Sequence, residues 1–378
     1  MKKEFLDLGR QPITNKFLSE DEFEGEFFYD LKVVFDEETK LVSIQEFVPP
    51  EMMFNEEYAY TTSLSTPMVN HFKETAEMLK MKFKPKKVLE IGSNDGAFIC
   101  NFPKEDSMCV EPCDNFARVT ADMGYITSTE FWTTELSDKI KDSNGYMDMI
   151  YAANCICHIQ DLDDAFKAVK NLLTPSGVFV FEDPSLLRML ERGSYDQIYD
   201  EHAHVFSVIA LDNLSVHGGS NRIYASHIDS GLAGDSVRQN INEEMVFGLD
   251  QFETYEIFAD RVKTSKKVLN RKLSNLTKNG KRIVSIGATS KSSTVFNYCG
   301  IDSSLIECVT DTTPAKQGLF TPGSHIPVVS RDSVNLNDYD YAFLGAWNFK
   351  EVIANKESEF VKSGGKFITH VPEVMDFS

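Results

Sequence analysis

The chain has 378 residues, and its 38 lysines and arginines stand against 58 aspartates and glutamates, a net charge of −20. That length calls for two or three domains, and 42% hydrophobic with 25% charged residues is globular composition, not disorder. The charge argues against sequence-independent binding to nucleic acid or to an anionic membrane, which needs basic surface, but it leaves room for a small anionic ligand held by a few local cations.

The N-terminal MKKEFLDLGRQP has two lysines with no apolar run behind them, so no secretory signal is expected. No stretch approaches the apolar length of a membrane span. Seven cysteines, an odd number, do not read as a disulfide framework. Reduced thiols of a cytoplasmic protein are expected, and no metal site: Cys155, Cys157 and His158 lie close together, but no second pair sits at zinc spacing.

Residues 1–72 read as a small α+β lobe in which acidic and aromatic stretches alternate, with short strands over Leu31–Val34 and Leu41–Ile44. From residue 73 to 240 the pattern is strand and helix in turn. KKVLEIGSNDGAFI is a strand, a glycine turn and a helix start; MCVEP, MDMIYAAN and GVFVFEDP are further strands, with DLDDAFKAVKNLL a helix between the last two. This predicts a parallel α/β sheet. Residues 241–280 form a link dominated by one amphipathic helix over 251–278, where Phe252, Tyr255, Phe258, Val262, Leu269, Leu273 and Leu276 keep helical spacing up to Asn279-Gly280. Residues 281–378 start a second α/β series: RIVSIGA, LIECVTD, DYAFLGAW and KFITHVP.

The loop Glu90-Ile91-Gly92-Ser93-Asn94-Asp95-Gly96 is the most informative local signal. Glycine after a strand lets backbone amides turn tightly toward a ligand. The spacing is Gly-x-x-x-Gly, not the Gly-x-Gly-x-x-Gly of dinucleotide folds, which disfavours a dinucleotide-dependent redox enzyme. With an acidic residue two positions ahead, it is the pattern of S-adenosylmethionine-dependent methyltransferases. Glu111, closing the next strand in MCVEP, is placed to bind ribose hydroxyls.

Several collinear segments resemble the sugar C-methyltransferases that act on nucleotide-linked 4-keto-deoxysugars: DLGRQPITNKFL, EYAYTTSLS, VLEIGSNDGAF, YAANCICHIQDLDDAF, VFVFEDPSLL, YDQIYDEHAHVFS, HGGSNRIY, GATSKSSTVFNYCGI and DTTPAKQGLFTPGSHIPVVS. The resemblance implies a Rossmann-like class I methyltransferase domain, a C-terminal α/β domain and a small N-terminal substrate-binding lobe. It implies transfer of a methyl group from S-adenosylmethionine to the carbon beside the ketone, C3, of a nucleotide-linked sugar, most simply a thymidine-diphosphate one, in deoxysugar biosynthesis. Two departures stand out. The family's four zinc-holding cysteines of the N-terminal lobe are missing, since no cysteine precedes Cys100, so no zinc is expected. Between Phe206 and His217 only SVIALDNLSV remains where the family pattern has a helix and a strand, which predicts a gap at the sheet edge.

Methylating a sugar carbon needs removal of the proton α to the ketone, a stabiliser for the enolate oxygen, and a dry pocket. Histidine titrates near neutrality, and the resemblance assigns the base role to His202. Tyr199 then donates to the ketone or enolate oxygen, Glu201 orients the base, and His158 and Tyr60 line the same cleft; His204 is a structural neighbour. For the cofactor the resemblance implies Glu90, Gly92, Ser93, Asn94, Asp95, Gly96, Glu111 and Asn154. For the substrate it implies His217, Gly218 and Arg222, while Lys291, on a second strand–glycine–helix turn, and Lys316 are candidates for a diphosphate. Two other readings stay open: a sugar O- or N-methyltransferase, which would need no enolate, and a catalytically degenerate nucleotide-sugar-binding scaffold. A monomer or homodimer is compatible with the charge.

Overall fold

A computed structural model describes residues 1–206, 212–214, 219–227 and 235–378. First come β1 (Lys2–Pro12), β2 (Phe28–Asp36), β3 (Val42–Ile44), α1 (Pro50–Met53) and α2 (Thr66–Phe83). The first alternating series is β4 (Val88–Ile91), β5 (Ser107–Val110), α3 (Asp114–Asp122), β6 (Ile126–Ser128), α4 (Thr134–Asn144), β7 (Met147–Ala153), α5 (Leu162–Leu172), β8 (Leu173–Pro184) and α6 (Leu186–Arg192). Next are β9 (His204–Val205), β10 (Asp212–Leu214), β11 (Ser220–Ala225), α7 (Asp235–Phe247) and α8 (Phe252–Lys278). The second series is β12 (Ile283–Ile286), α9 (Ser290–Cys299), β13 (Val309–Asp311), β14 (Val328–Ser330), β15 (Tyr341–Leu344), α10 (Lys350–Lys356), α11 (Ser358–Lys362), β16 (Lys366–Thr369) and β17 (Met375–Phe377).

The chain forms two compact units. One holds residues 1–48, 186–205 and 248–378; the other holds 49–185 and 206–247. This differs from the boundaries read from the sequence. The N-terminal lobe and the C-terminal α/β domain fall in one unit, and residues 49–72 group with the methyltransferase-like sheet because hydrogen bonds from its glycine loop hold them.

The second unit is built on a seven-stranded sheet in the order β10-β11-β8-β7-β4-β5-β6. Strands β8, β7, β4, β5 and β6 are mutually parallel, and β11 lies antiparallel against β8. A parallel sheet with one antiparallel strand near its edge is the class I methyltransferase arrangement, with central strand β4 feeding the glycine loop at the switch point where such sheets bind ligands. Val88 on β4, Tyr151 on β7, Val180 on β8 and the apolar stripe Met68, Phe72, Ala76 and Leu79 of α2 share one core. Of the segment where a gap was expected, residues 207–211 and 215–218 lie outside the described residues. Within it, β10 pairs with β11 from Asp212↔Arg222 to Leu214↔Ser220.

In the first unit an antiparallel sheet runs β1-β2-β3-β9, and a six-stranded sheet runs β14-β13-β12-β15-β16-β17. In the larger sheet only β17 is antiparallel. Helix α8 follows its predicted span and buries Tyr255, Phe258, Val262, Leu269 and Leu273. Tyr255 stacks at 4.6 Å on Phe35 of β2, which fastens the helix to the small sheet. No helix among the described residues is long and apolar enough to cross a membrane.

Candidate active site

The loop after β4 is shaped by close approach. Gly92 has φ +68°, and a Cβ there would stand 2.8 Å from Cys155 Sγ, so no other residue fits without displacing the segment after β7. Asn94 and Gly96 also adopt positive φ. Glu111, past the end of β5, accepts the Asn94 amide on Oε2 at 2.6 Å and the Cys113 amide on Oε1 at 2.9 Å. Glu90 accepts the Ile99 amide at 3.0 Å. Burial holds both carboxyls above the ordinary range, Glu90 well above it, with the Glu111 and Asp95 charges adding to the effect on Glu90.

The loop's polar side chains reach residues 60–63. Asn94 donates to the Tyr60 carbonyl at 2.9 Å and accepts the Thr62 amide at 3.0 Å; Asp95 Oδ2 accepts the Ser63 amide at 3.0 Å. The glycine loop thus fixes the segment that carries Tyr60. Asn154 has φ +49° and donates its amide to the Glu182 carbonyl at 2.6 Å. His158 stacks on Phe54, and burial lowers its pKa to about 3, so it is a neutral imidazole at working pH.

Arg222 is engaged internally. It donates to Glu182 at 2.8 Å and to Thr75 at 2.6 Å, and Glu182 also receives Tyr151 and His71, at 2.9 and 2.6 Å. This guanidinium braces β8 and β11 from the core. His217 and Gly218 lie outside the described residues.

The other half of the predicted constellation belongs to the first unit. Tyr195–Gln197 is a short 3-10 turn, and the chain then runs through Tyr199 to His202 before entering the small sheet as β9. Its polar residues are held one by one. Asp200 accepts the Thr14 hydroxyl at 2.6 Å, Asn15 donates to Glu201 at 2.5 Å, and Ile44 donates its amide to the Ala203 carbonyl at 3.0 Å. Burial raises Asp200 to about 6, partly opposed by the Thr14 hydrogen bonds. His202 is buried, and its Nδ1 lies 2.6 Å from the Gln197 carbonyl oxygen. A carbonyl only accepts, so Nδ1 carries the hydrogen and Nε2 the lone pair of the neutral ring. The Tyr199 ring lies against the imidazole, centroids 4.1 Å apart. His204 sits in β9 and packs on Phe47.

The second glycine turn precedes α9. Thr289 caps the helix, and Ala288 donates its amide to Asp311 at 2.7 Å. Lys291 is half-buried and its ammonium has no hydrogen-bond or ion-pair partner among the described residues; burial lowers its pKa, and the Asp196 charge opposes that. Lys316 is buried and donates to the Ala288 carbonyl at 2.8 Å, against the face of Phe17. Burial lowers its pKa as well.

Sequence reasoning missed three features. Thr14 and Asn15 hold Asp200 and Glu201, next to His202, though both lie inside the PITNKFL motif. Asp183, buried at the end of β8 and raised to about 7 by desolvation, was visible only as part of FEDP. The Gln197 carbonyl that sets the His202 tautomer carries no side-chain signal at all.

The residues around the first glycine loop fit S-adenosylmethionine. Asp95 Oδ1 is buried without a hydrogen-bond partner, an acceptor suited to the ammonium of an amino acid. Glu111 retains lone pairs for ribose hydroxyls, since a carboxylate offers about four. Zinc does not fit the N-terminal lobe: residues 1–54 contain neither cysteine nor histidine, the donors of structural zinc.

Three family models match in series: a zinc-binding domain over residues 1–54, a methyltransferase domain over 69–215, and a C-methyltransferase C-terminal domain over 215–372. The chain is 29% identical over 389 residues to the C-methyltransferase NovU of Streptomyces niveus, covering 97% of this chain and 92% of that one. Solved structures of S-adenosylmethionine-dependent methyltransferases from Clostridium acetobutylicum and Archaeoglobus fulgidus are similar at 17% and 18% identity, with TM-scores of 0.27 and 0.30. They match 32% and 37% of this chain, and the matches span 52% and 62% of theirs.

Proposed function

We propose that the chain is an S-adenosylmethionine-dependent C-methyltransferase, as the three family models and its similarity to NovU support, and that it methylates C3, beside the ketone, of a nucleotide-linked 4-keto-deoxysugar. The observation that carries this reading is the state of His202: buried, with Nδ1–H committed to the Gln197 carbonyl, so that Nε2 can accept a proton. Bound S-adenosylmethionine supplies a methyl group on cationic sulfur, open to attack by a carbon nucleophile.

His202 Nε2 removes the α-proton and leaves an enolate. Tyr199, against the imidazole, donates its hydroxyl to the enolate oxygen. Glu201, oriented by Asn15, stabilises the imidazolium that forms. Tyr60 and neutral His158 are further candidates for hydrogen bonds to the sugar. Lys291 and Lys316 meet the diphosphate; the half-buried Lys291 ammonium, without a partner among the described residues, is a natural counter-charge for it. Seven free thiols are consistent with a reducing cytoplasm as the place of reaction.

The test is a mass spectrum of the protein incubated with S-adenosylmethionine and nucleotide-linked 4-keto sugars in deuterated water. The expected result is a gain of one methyl on carbon with deuterium exchange at C3, and loss of both in His202→Asn with cofactor binding retained. Methylation of oxygen or nitrogen without exchange, or near-normal turnover in His202→Asn, would overturn the reading. Cofactor binding with neither methyl gain nor exchange would make the chain a scaffold.

A further inference from the structure

Asp196 is fully buried in the Tyr195–Gln197 turn, outside the set of groups assigned to the reaction. Its Oδ2 accepts the Trp347 indole N–H at 2.5 Å, and His370 Nε2 lies 3.3 Å from the same oxygen. Trp347 follows β15 and His370 follows β16, so two adjacent strands of the large sheet present their carboxyl ends to this one carboxylate. A buried carboxylate costs more to desolvate than an apolar residue of its size, so it is a poor choice for stability alone. The next residue is Gln197, whose side chain donates to Ser194 Oγ at 2.8 Å and whose carbonyl receives His202 Nδ1 at 2.6 Å. In a turn this short, fixing the side chain of one residue fixes the peptide plane of the next.

We propose that Asp196, held by the Trp347 indole N–H, is a positioning residue that aims the Gln197 carbonyl and thereby holds His202 as its Nδ1–H tautomer. The proposal rests on the reading of His202 as the base. Without that bond the turn relaxes, the carbonyl swings, and the imidazole redistributes its proton between two nitrogens. The fraction with the lone pair on Nε2 falls, and proton abstraction falls with it.

The test is nitrogen NMR of histidine-labelled full-length protein at pH 8, above the ordinary histidine value of about 6.5. The His202 signal is identified by its absence in His202→Asn. Wild type is expected to show one tautomer, protonated on Nδ1. Trp347→Phe removes the donor and is expected to give a mixture, with kcat for C3 exchange down at least about tenfold and KM for the sugar nucleotide unchanged, since a general base contributes about a hundredfold or more. Asp196→Leu, of similar size but without an acceptor, should behave alike, whereas Asp196→Asn keeps the Trp347 bond and should keep the tautomer and the rate. A single Nδ1–H tautomer with unchanged kcat in folded Trp347→Phe or Asp196→Leu would overturn the proposal, even if the melting temperature falls. The tautomer is read without substrate. If wild type shows no exchange at all, the C-methylation reading fails, while the NMR result still decides the role of Asp196.

Discussion

Glu111 holds two backbone amides with one carboxylate, and it does so from a buried site that raises its pKa. Glu90, beside it, is raised further. A carboxyl raised above its unfolded value of 4.5 binds more protons in the folded state. Stability of the free protein therefore falls as pH rises from that value through the folded one. A ligand that pairs with the ionised form acts in the opposite direction. S-adenosylmethionine should bind more tightly at pH 8 than at pH 5.5, and binding at intermediate pH should release protons, read by calorimetry in buffers of different ionisation enthalpy. The uncharged-sulfur product should show a smaller pH dependence. Equal affinity of the cofactor at both pH values would mean that neither carboxyl faces it. At this scale the positions of Glu90 within β4 and of Glu111 just past β5 were legible in the sequence. The Arg222–Glu182 pair was not legible, because Glu182 lies 40 residues away, on a strand that only the fold brings alongside.

The glycine loop shows what an element can and cannot reveal in advance. Strand, glycine and helix were evident from pattern, but the need for glycine at 92 comes from Cys155, a residue of a different strand–loop unit. Gly92→Ala combines a left-handed backbone with a contact at 2.8 Å, so a loss of about 2 kcal/mol or more is expected, together with weakened cofactor binding. Thermal unfolding and a binding titration check both; an unchanged melting temperature would show that the loop yields easily. β1 escaped sequence reading for a related reason. Register shifts between Glu4 and Leu6 and between Asp7 and Arg10 break the alternation by which a strand is recognised. β10 escaped because three residues are too few to show any period, although three ladder partners on β11 define it well.

For the whole molecule, the N-terminal lobe poses the sharpest question, because its family model is a zinc-binding domain and its sequence lacks the donors. Leu6, Leu8, Leu31, Val33, Phe35, Val42 and Ile44 are almost fully buried and give the small sheet an apolar core. Farther out, Phe23 stacks on His325 at 3.8 Å and meets Phe320 edge-on, and Glu26 accepts from His325 Nε2 and the Gly323 amide. Burial and these long-range contacts replace the cross-link that a metal supplies. The purified protein should contain no stoichiometric zinc by elemental analysis, and a chelator should leave its unfolding transition unchanged; a zinc content of one per chain would overturn this.

The sequence by itself determined the two α/β series, helix α8, the glycine loop with its two acidic residues, and the string that ends in His202. Each rests on periodicity or on spacing within a short stretch, which local sterics and hydrophobic burial impose without reference to the rest of the chain. Only the tertiary structure decided that residues 49–72 serve the glycine loop, that Thr14 and Asn15 hold Asp200 and Glu201, and which nitrogen of His202 carries the proton. Those outcomes depend on hydrogen bonds between segments up to 186 residues apart. Such bonds form because buried polar groups must find partners wherever the fold brings them together, and that pairing has no period to read.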